Sequence, residues 1–181
     1  MKKKLFLIRH CQAEGQEADA PLTEKGYKQA FELASSLNNI RADQIISSPY
    51  LRARQTIDPY AKDRNLEIKI DTRLSERVLS TSNLPDWLDK LRNTFDDMDL
   101  KLEGGEASSE AQARIVEVVE EILDSNIENT VIVTHGNILS LLLRHYQDNF
   151  GFEQWKSLSN PDVFLMQFTN DEYSIHRVWK E

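Results

Sequence analysis

Two apolar runs in this chain end abruptly in histidine. Leu5-Phe6-Leu7-Ile8 runs into Arg9-His10, and Thr130-Val131-Ile132-Val133-Thr134 runs into His135-Gly136. A short continuous apolar run is the pattern of a strand buried on both faces. In an open parallel sheet, ligands bind in the crevice beyond the carboxyl ends of the strands. Two imidazoles delivered to two such ends, one preceded by a guanidinium, make a compact cationic pocket. That is chemistry for phosphate. A polar pair at a strand end is ordinarily just where the chain meets solvent, and the second copy of the arrangement at His135 lifts Arg9-His10 above that reading. Gly136 lets the backbone approach a ligand closely, and with Asn137 it exposes the first N–H groups of the helix that follows.

Two further segments add charge to this pocket. In Ser47-Ser48-Pro49-Tyr50-Leu51-Arg52-Ala53-Arg54, Ser48 reads as an N-cap and Pro49 as the first helical residue. Arg52 then lies about one turn in. Its side chain leans back toward the helix N-terminus and the strand ends, where a phosphate would meet its planar fork. Arg54, two residues on, faces away. In Leu74-Ser75-Glu76-Arg77, Glu76 is a candidate acid for a cationic pocket. Taken singly, Arg52 and Glu76 would each be surface charges.

Strand and helix patterns alternate along the chain, which predicts a three-layer α/β/α sandwich with a mostly parallel sheet. Strands are expected at 4–9, 44–47, 66–70 and 130–134. Alternating patterns at 163–168 and 173–179 suggest a last, antiparallel edge pair. Helices are expected after the N-cap Thr23, from Ser48 until Pro59 ends or kinks the helix, over 87–95, over 107–123 and from Asn137. Residues 80–104, rich in Thr, Ser, Asn and Pro, read as an insertion near the site within a single domain spanning 1–181.

At 181 residues the chain has the length of about one domain with a proper core. A net charge of −8 and a pI near 5.1 argue against nucleic acid and anionic membranes as partners. The start MKKKLFLIRH imitates a signal peptide, but its apolar stretch stops at Ile8, far short of one, so a cytoplasmic location is expected. The single cysteine, Cys11, excludes an internal disulfide and a cysteine zinc cluster. It admits two readings, an activated thiol beside Arg9 or a small buried residue, and the second is expected. Trp87, Trp155 and Trp179 read as packing residues, Trp87 with access to the pocket. His145 and His176 read as surface or structural.

The blocks Arg9-His10, Ser47 to Thr56, Leu74-Ser75-Glu76 and Thr134-His135-Gly136 stand in an order that resembles the histidine phosphatase superfamily, in its phosphoglycerate-mutase-like branch. Pro21-Leu22-Thr23-Glu24-Lys25-Gly26 and Gly104-Gly105-Glu106 support the resemblance, which covers nearly the full length. It implies that His10 is the nucleophile and becomes phosphorylated, that Arg9, Arg52 and His135 hold the phosphoryl oxygens, and that Glu76 protonates the leaving group. It implies a small phosphorylated metabolite as substrate. The residues agree with these roles. Phosphoryl transfer needs positioning and charge stabilisation above all, a histidine attacks only when neutral, and a phosphate dianion beside Glu76 favours its protonated form. With two arginines and a histidine supplying positive charge, no metal or cofactor is expected.

The sequence departs from the family pattern at Cys11, where a glycine is usual, and at Ala13, which lacks a phosphate-binding hydroxyl. The loop Glu14 to Asp19 is acidic and has no equivalent of a common asparagine. The expected activity is phosphomonoester hydrolysis. Alternatives are a mutase, a protein-phosphohistidine phosphatase and a catalytically weak phosphate-binding domain. The family's mutases cover their phosphohistidine with longer loops and a C-terminal tail. Here the first loop spans only Cys11 to Ala20 and the chain stops at Glu181, soon after the last strand pattern, so water is expected to reach the phosphoenzyme.

Overall fold

A computed structural model describes residues 2–170 and 172–179. Six strands form one sheet: β1 (Lys2–Arg9), β2 (Gln44–Ser47), β3 (Ile68–Ile70), β4 (Asn129–Thr134), β5 (Asp162–Thr169) and β6 (Glu172–Arg177). Their order is β3-β2-β4-β1-β5-β6. The first four in that order run parallel, while β5 pairs antiparallel with both β1 and β6. The expected antiparallel pair is therefore present, and it joins the sheet through β5 beside β1.

The continuous apolar strands are explained by the layers they feed. Leu5, Leu7 and Ile132 pack into a cluster with α4 (Ser108–Asp124) and α5 (Gly136–Tyr146). Phe6, Ile8, Val131 and Val133 pack on the opposite face against α1 (Glu24–Ser36) and α2 (Leu51–Arg64). Successive side chains of a strand point to opposite faces, so a strand covered on both sides must be apolar at every position. This is the three-layer α/β/α sandwich that the alternation predicts. Among the described residues no helix is long and apolar enough to cross a membrane.

Several local expectations are corrected. Thr23 does cap α1, accepting from the Gly26 N–H at 2.9 Å. The helix expected from Ser48 and Pro49 instead starts at Leu51 with Tyr50 at the N-cap; the Ser48 hydroxyl accepts from the Tyr50 N–H at 3.2 Å and lies 2.7 Å from His135 Nε2. Pro59 does not end that helix, which continues to Arg64. A proline removes one backbone bond, and the buried Ile57, Tyr60 and Ala61 on either side of it hold the helix to the sheet. The strand expected at 66–70 is shortened to β3, followed by a 3₁₀ turn over Thr72–Leu74. The helix in the irregular segment is α3 (Trp87–Asp96), and a further short one, α6 (Phe152–Lys156), carries too few residues to show a period.

Candidate active site

The carboxyl ends of β1, β2 and β4 lie at one edge of the sheet, and the ladder runs one residue past them. The His10 N–H donates to the Thr134 carbonyl at 3.0 Å and the Ser48 N–H to Val133 at 2.9 Å. This brings His10 and His135 together, with ring centroids 5.1 Å apart. Arg52 reaches back from the first turn of α2 and donates from Nε to His10 Nε2 at 3.2 Å. A guanidinium can only donate, so His10 Nε2 is an acceptor and the ring proton sits on Nδ1, which donates to the Cys11 carbonyl at 2.7 Å. His10 thus presents a lone pair at Nε2 in a defined direction. Burial, reinforced by Arg52 and Arg9, pushes its pKa down to about 3, against the pull of the bond to Cys11. The imidazole is neutral at pH 7.

His135 is held differently. It is fully buried, its Nε2 lies 2.7 Å from Ser48 Oγ, and the Tyr50 ring packs against it. The other ring nitrogen, Nδ1, is buried and has no protein partner. Burial, with His10 and Arg52 nearby, holds the pKa of His135 well below its ordinary value.

Arg9 lies against Gly136. A Cβ at Gly136 would come within 2.9 Å of Arg9 Nε, so the glycine leaves room for the guanidinium. Arg9 Nη1 donates to the Leu158 carbonyl at 3.0 Å, and its buried Nε has no partner. Arg52 Nη1 donates to the carbonyls of Gln16 and Glu17 at 3.1 and 2.7 Å, tying the acidic first loop to the site.

Glu76 arrives from a separate direction. The Thr134 hydroxyl donates to the Leu74 carbonyl at 2.7 Å, and Arg114 of α4 donates to the carbonyls of Arg73 and Ser75. These bonds pin the turn before Glu76 against β4. Its carboxylate then sits on the N-terminus of α5, a place that favours negative charge. It accepts from the N–H groups of Arg77 at 2.8 Å, Asn137 at 3.1 Å and Ile138 at 3.0 Å. The Asn137 N–H, which the sequence offers to a phosphate, is therefore given to Glu76. The Asn137 side-chain amide is buried, and both its polar atoms are unpartnered.

All seven predicted residues, Arg9, His10, Arg52, Glu76, His135, Gly136 and Asn137, meet at this edge. Arg9, Glu76, Gly136 and Asn137 line a cavity of about 500 Å³ there. Arg54 is exposed and outside it, and His145 and His176 are exposed elsewhere. Sequence reasoning missed three supports. Ser48 was read as a helix cap. Thr56 accepts the Cys11 N–H at 2.9 Å. Asn160 donates from its amide to the His10 carbonyl at 2.8 Å across 150 residues. Such pairings are tertiary and leave no local pattern. Cys11 follows the bland reading: it is fully buried, and burial pushes its thiol up to about 12, which makes it inert. Among the described residues no group of three or more His, Cys, Asp or Glu side chains could hold a metal ion.

A strand-end pair of neutral histidines flanked by two arginines, with a carboxylate on the adjoining helix end, defines a phosphoryl-handling site of one class. The chain belongs to the histidine phosphatase superfamily, branch 1, whose family model matches residues 5–180. It is an enzyme of that superfamily, phosphatase or mutase-like. It is similar to an Escherichia coli protein named "Probable phosphoglycerate mutase GpmB", 28% identical over 158 residues that cover 77% of this chain and 73% of the relative. It is also similar to the "Putative phosphoserine phosphatase 2" of Hydrogenobacter thermophilus, 27% identical over 156 residues, covering 78% and 77%. Among solved structures, Bacillus stearothermophilus YhfR superposes with a TM-score of 0.77 at 26% identity, covering 97% and 96% of the two chains.

Proposed function

We propose that the protein hydrolyses small phosphomonoesters through a phosphohistidine on His10, with Glu76 as proton donor and no metal. The observation that carries this reading is the geometry of His10, a neutral imidazole whose Nδ1–H is spent on the Cys11 carbonyl and whose Nε2 lone pair faces Arg52. The phosphate oxygens take the Arg52 and Arg9 guanidinium donors and the unpartnered Nδ1 of His135, and Gly136 leaves room for the Arg9 guanidinium.

In the first step Arg52 Nε passes its hydrogen bond from His10 Nε2 to a phosphate oxygen, and the freed lone pair bonds to phosphorus as the bond to the ester oxygen breaks. The bond pair leaves with the alcohol oxygen, and Glu76 supplies its proton. The ring, now cationic, keeps its Nδ1–H on the Cys11 carbonyl. In the second step Glu76 takes a proton from water, the water oxygen bonds to phosphorus, and the nitrogen–phosphorus bond pair returns to His10.

Return of the phosphoryl group to the substrate is the other reading, favoured by the mutase name of the Escherichia coli relative. Incubation with 3-phosphoglycerate separates the two. Hydrolysis predicts released phosphate ahead of any 2-phosphoglycerate. Isomer forming faster than phosphate would make mutase the better description.

A further inference from the structure

Attack on phosphorus asks for an imidazole whose Nε2 lone pair keeps one direction. In the resting site two hydrogen bonds hold the His10 ring, one from Arg52 Nε to Nε2 and one from Nδ1 to the Cys11 carbonyl. When Arg52 turns to the phosphate, the bond to Cys11 is the one of the two that stays. The direction of that carbonyl then matters, and the carbonyl is part of a rigid unit. A peptide bond keeps its C=O and the N–H of the next residue in one plane. Whatever holds the Gln12 N–H therefore also aims the Cys11 carbonyl.

Gln29 of α1 holds it. Its Oε1 accepts from the Gln12 N–H at 3.0 Å, and its Nε2 donates to the Asn160 carbonyl. An N–H on one side and a carbonyl on the other leave the amide one orientation that satisfies both. Gly26, one turn earlier on α1, lets the loop come this close, since a Cβ there would overlap the Gln12 carbonyl oxygen. The preceding peptide plane is held in the same way. The His10 carbonyl accepts from the Asn160 side-chain amide at 2.8 Å, and the Cys11 N–H donates to Thr56 Oγ1 at 2.9 Å. Asn160 stands on an anchored turn. The fully buried Asp162 accepts from the Ser159 N–H at 3.0 Å and pairs with Arg177 of β6 at 2.6 Å.

We propose that Gln29 and Asn160 are positioning residues for the nucleophile: by gripping the two peptide planes after His10 they keep its Nδ1–H bonded and its Nε2 lone pair on the phosphorus. The proposal rests on the hydrolase reading for its effect on turnover, but the state of the ring can be read without turnover. Gln29→Leu removes both bonds of the Gln29 amide at similar size. Asn160→Asp keeps the shape and cannot donate to the His10 carbonyl. Gln55→Leu is the control, because its amide braces the Leu22 N–H and the Tyr27 hydroxyl without touching residues 10–12. Each protein is followed by nitrogen NMR of isotope-labelled histidine, by turnover of an aryl phosphate and by inhibition with inorganic phosphate.

Wild-type His10 should show a protonated Nδ1 in slow exchange and a bare Nε2. In Gln29→Leu and in Asn160→Asp the Nδ1–H signal should broaden or vanish. Turnover should fall about 10- to 100-fold, the range for outer partners that orient a reacting group. Inhibition by inorganic phosphate should stay as in the wild type, because the arginines that bind it are untouched. Gln55→Leu should match the wild type in all three readouts. A wild-type Nδ1–H signal and turnover in either Gln29→Leu or Asn160→Asp would overturn the proposal. Equal losses in Gln55→Leu would also overturn it, by showing a general loosening of the loop. An Nδ1–H signal lost in both variants of a protein that turns over no phosphomonoester would leave the positioning standing and remove the hydrolase reading.

Discussion

At the carboxyl ends of β1, β2 and β4 Ser48, Arg52, Thr134 and His135 are buried, and the sheet ladder places the backbone of His10 and of Ser48. A short distance away, residues 77–91 follow no ladder and leave Val78, Trp87 and Leu88 between 39% and 51% exposed. The two regions share one cavity and are built by different rules. The strand ends inherit their precision from the sheet, so a substitution there changes chemistry. The segment above them is held by a few long-range bonds through Thr94 and Phe95. A rigid scaffold beside a looser connecting segment is a general division of labour.

If that division is right, Glu76→Gln is among the most damaging changes, and its damage depends on the leaving group. Proton donation typically supplies about 10²–10⁴-fold. The variant should lose kcat by that order for alkyl phosphates and far less for aryl phosphates, whose oxygen leaves without help. The amide also lacks one acceptor oxygen for the N–H groups of α5, so its melting temperature should be recorded beside the kinetics. An equal loss for both kinds of ester would mean that Glu76 positions the substrate and that another acid must be sought.

Arg52→Lys probes the same floor with a smaller effect. A lysine keeps the charge but cannot span His10 Nε2 and the Gln16 and Glu17 carbonyls at once. Inhibition by inorganic phosphate or vanadate should weaken about 10- to 100-fold, the range of a lost charged hydrogen bond. Unchanged inhibition would place Arg52 outside the phosphate contacts.

Much of the strand-end floor was legible in the sequence, and little of the segment above it was. β2 falls where alternation and composition put it, and β1 and β4 differ from expectation only at their first residues, because a strand covered on both faces must be apolar throughout. Arg9, His10 and His135 follow directly from those strands. Ser48 misled, since a serine before a proline has the form of a helix start whether or not its hydroxyl is free to cap. Pro59 does not end α2, because core contacts outweigh one lost backbone bond. The seat of Glu76 on α5, the bond from Asn160 to His10 and the meeting of Trp87 and Gly136 at one cavity join residues far apart in the chain. No local period or spacing encodes them.

The smallest expected effect is on stability. Folding holds His10 at about 3 against an ordinary value of 6.5, and His135 is lowered as well. The unfolded chain therefore takes up protons first as the pH falls. The stabilisation is complete above about 6.5 and is lost on going down from there toward 3. Each histidine contributes a slope of up to about 1.4 kcal/mol per pH unit within that window. Chemical denaturation at pH 7, 5.5 and 4.5 should show the decline, and His10→Asn should flatten it. A wild-type stability level from pH 7 to 4.5 would mean that these rings are not held neutral by the fold.

The central claim is that the phosphoryl group passes through His10, and rapid quenching tests it most directly. Wild-type protein is mixed with an aryl phosphate, stopped in base within one turnover, digested and mapped by mass spectrometry. The account predicts one phosphoryl group on the peptide carrying His10, stable in base and released in acid. In His10→Ala it predicts none, with turnover reduced to background in a protein that still folds. Phosphoryl found on another residue, or a fully active His10→Ala, would contradict it.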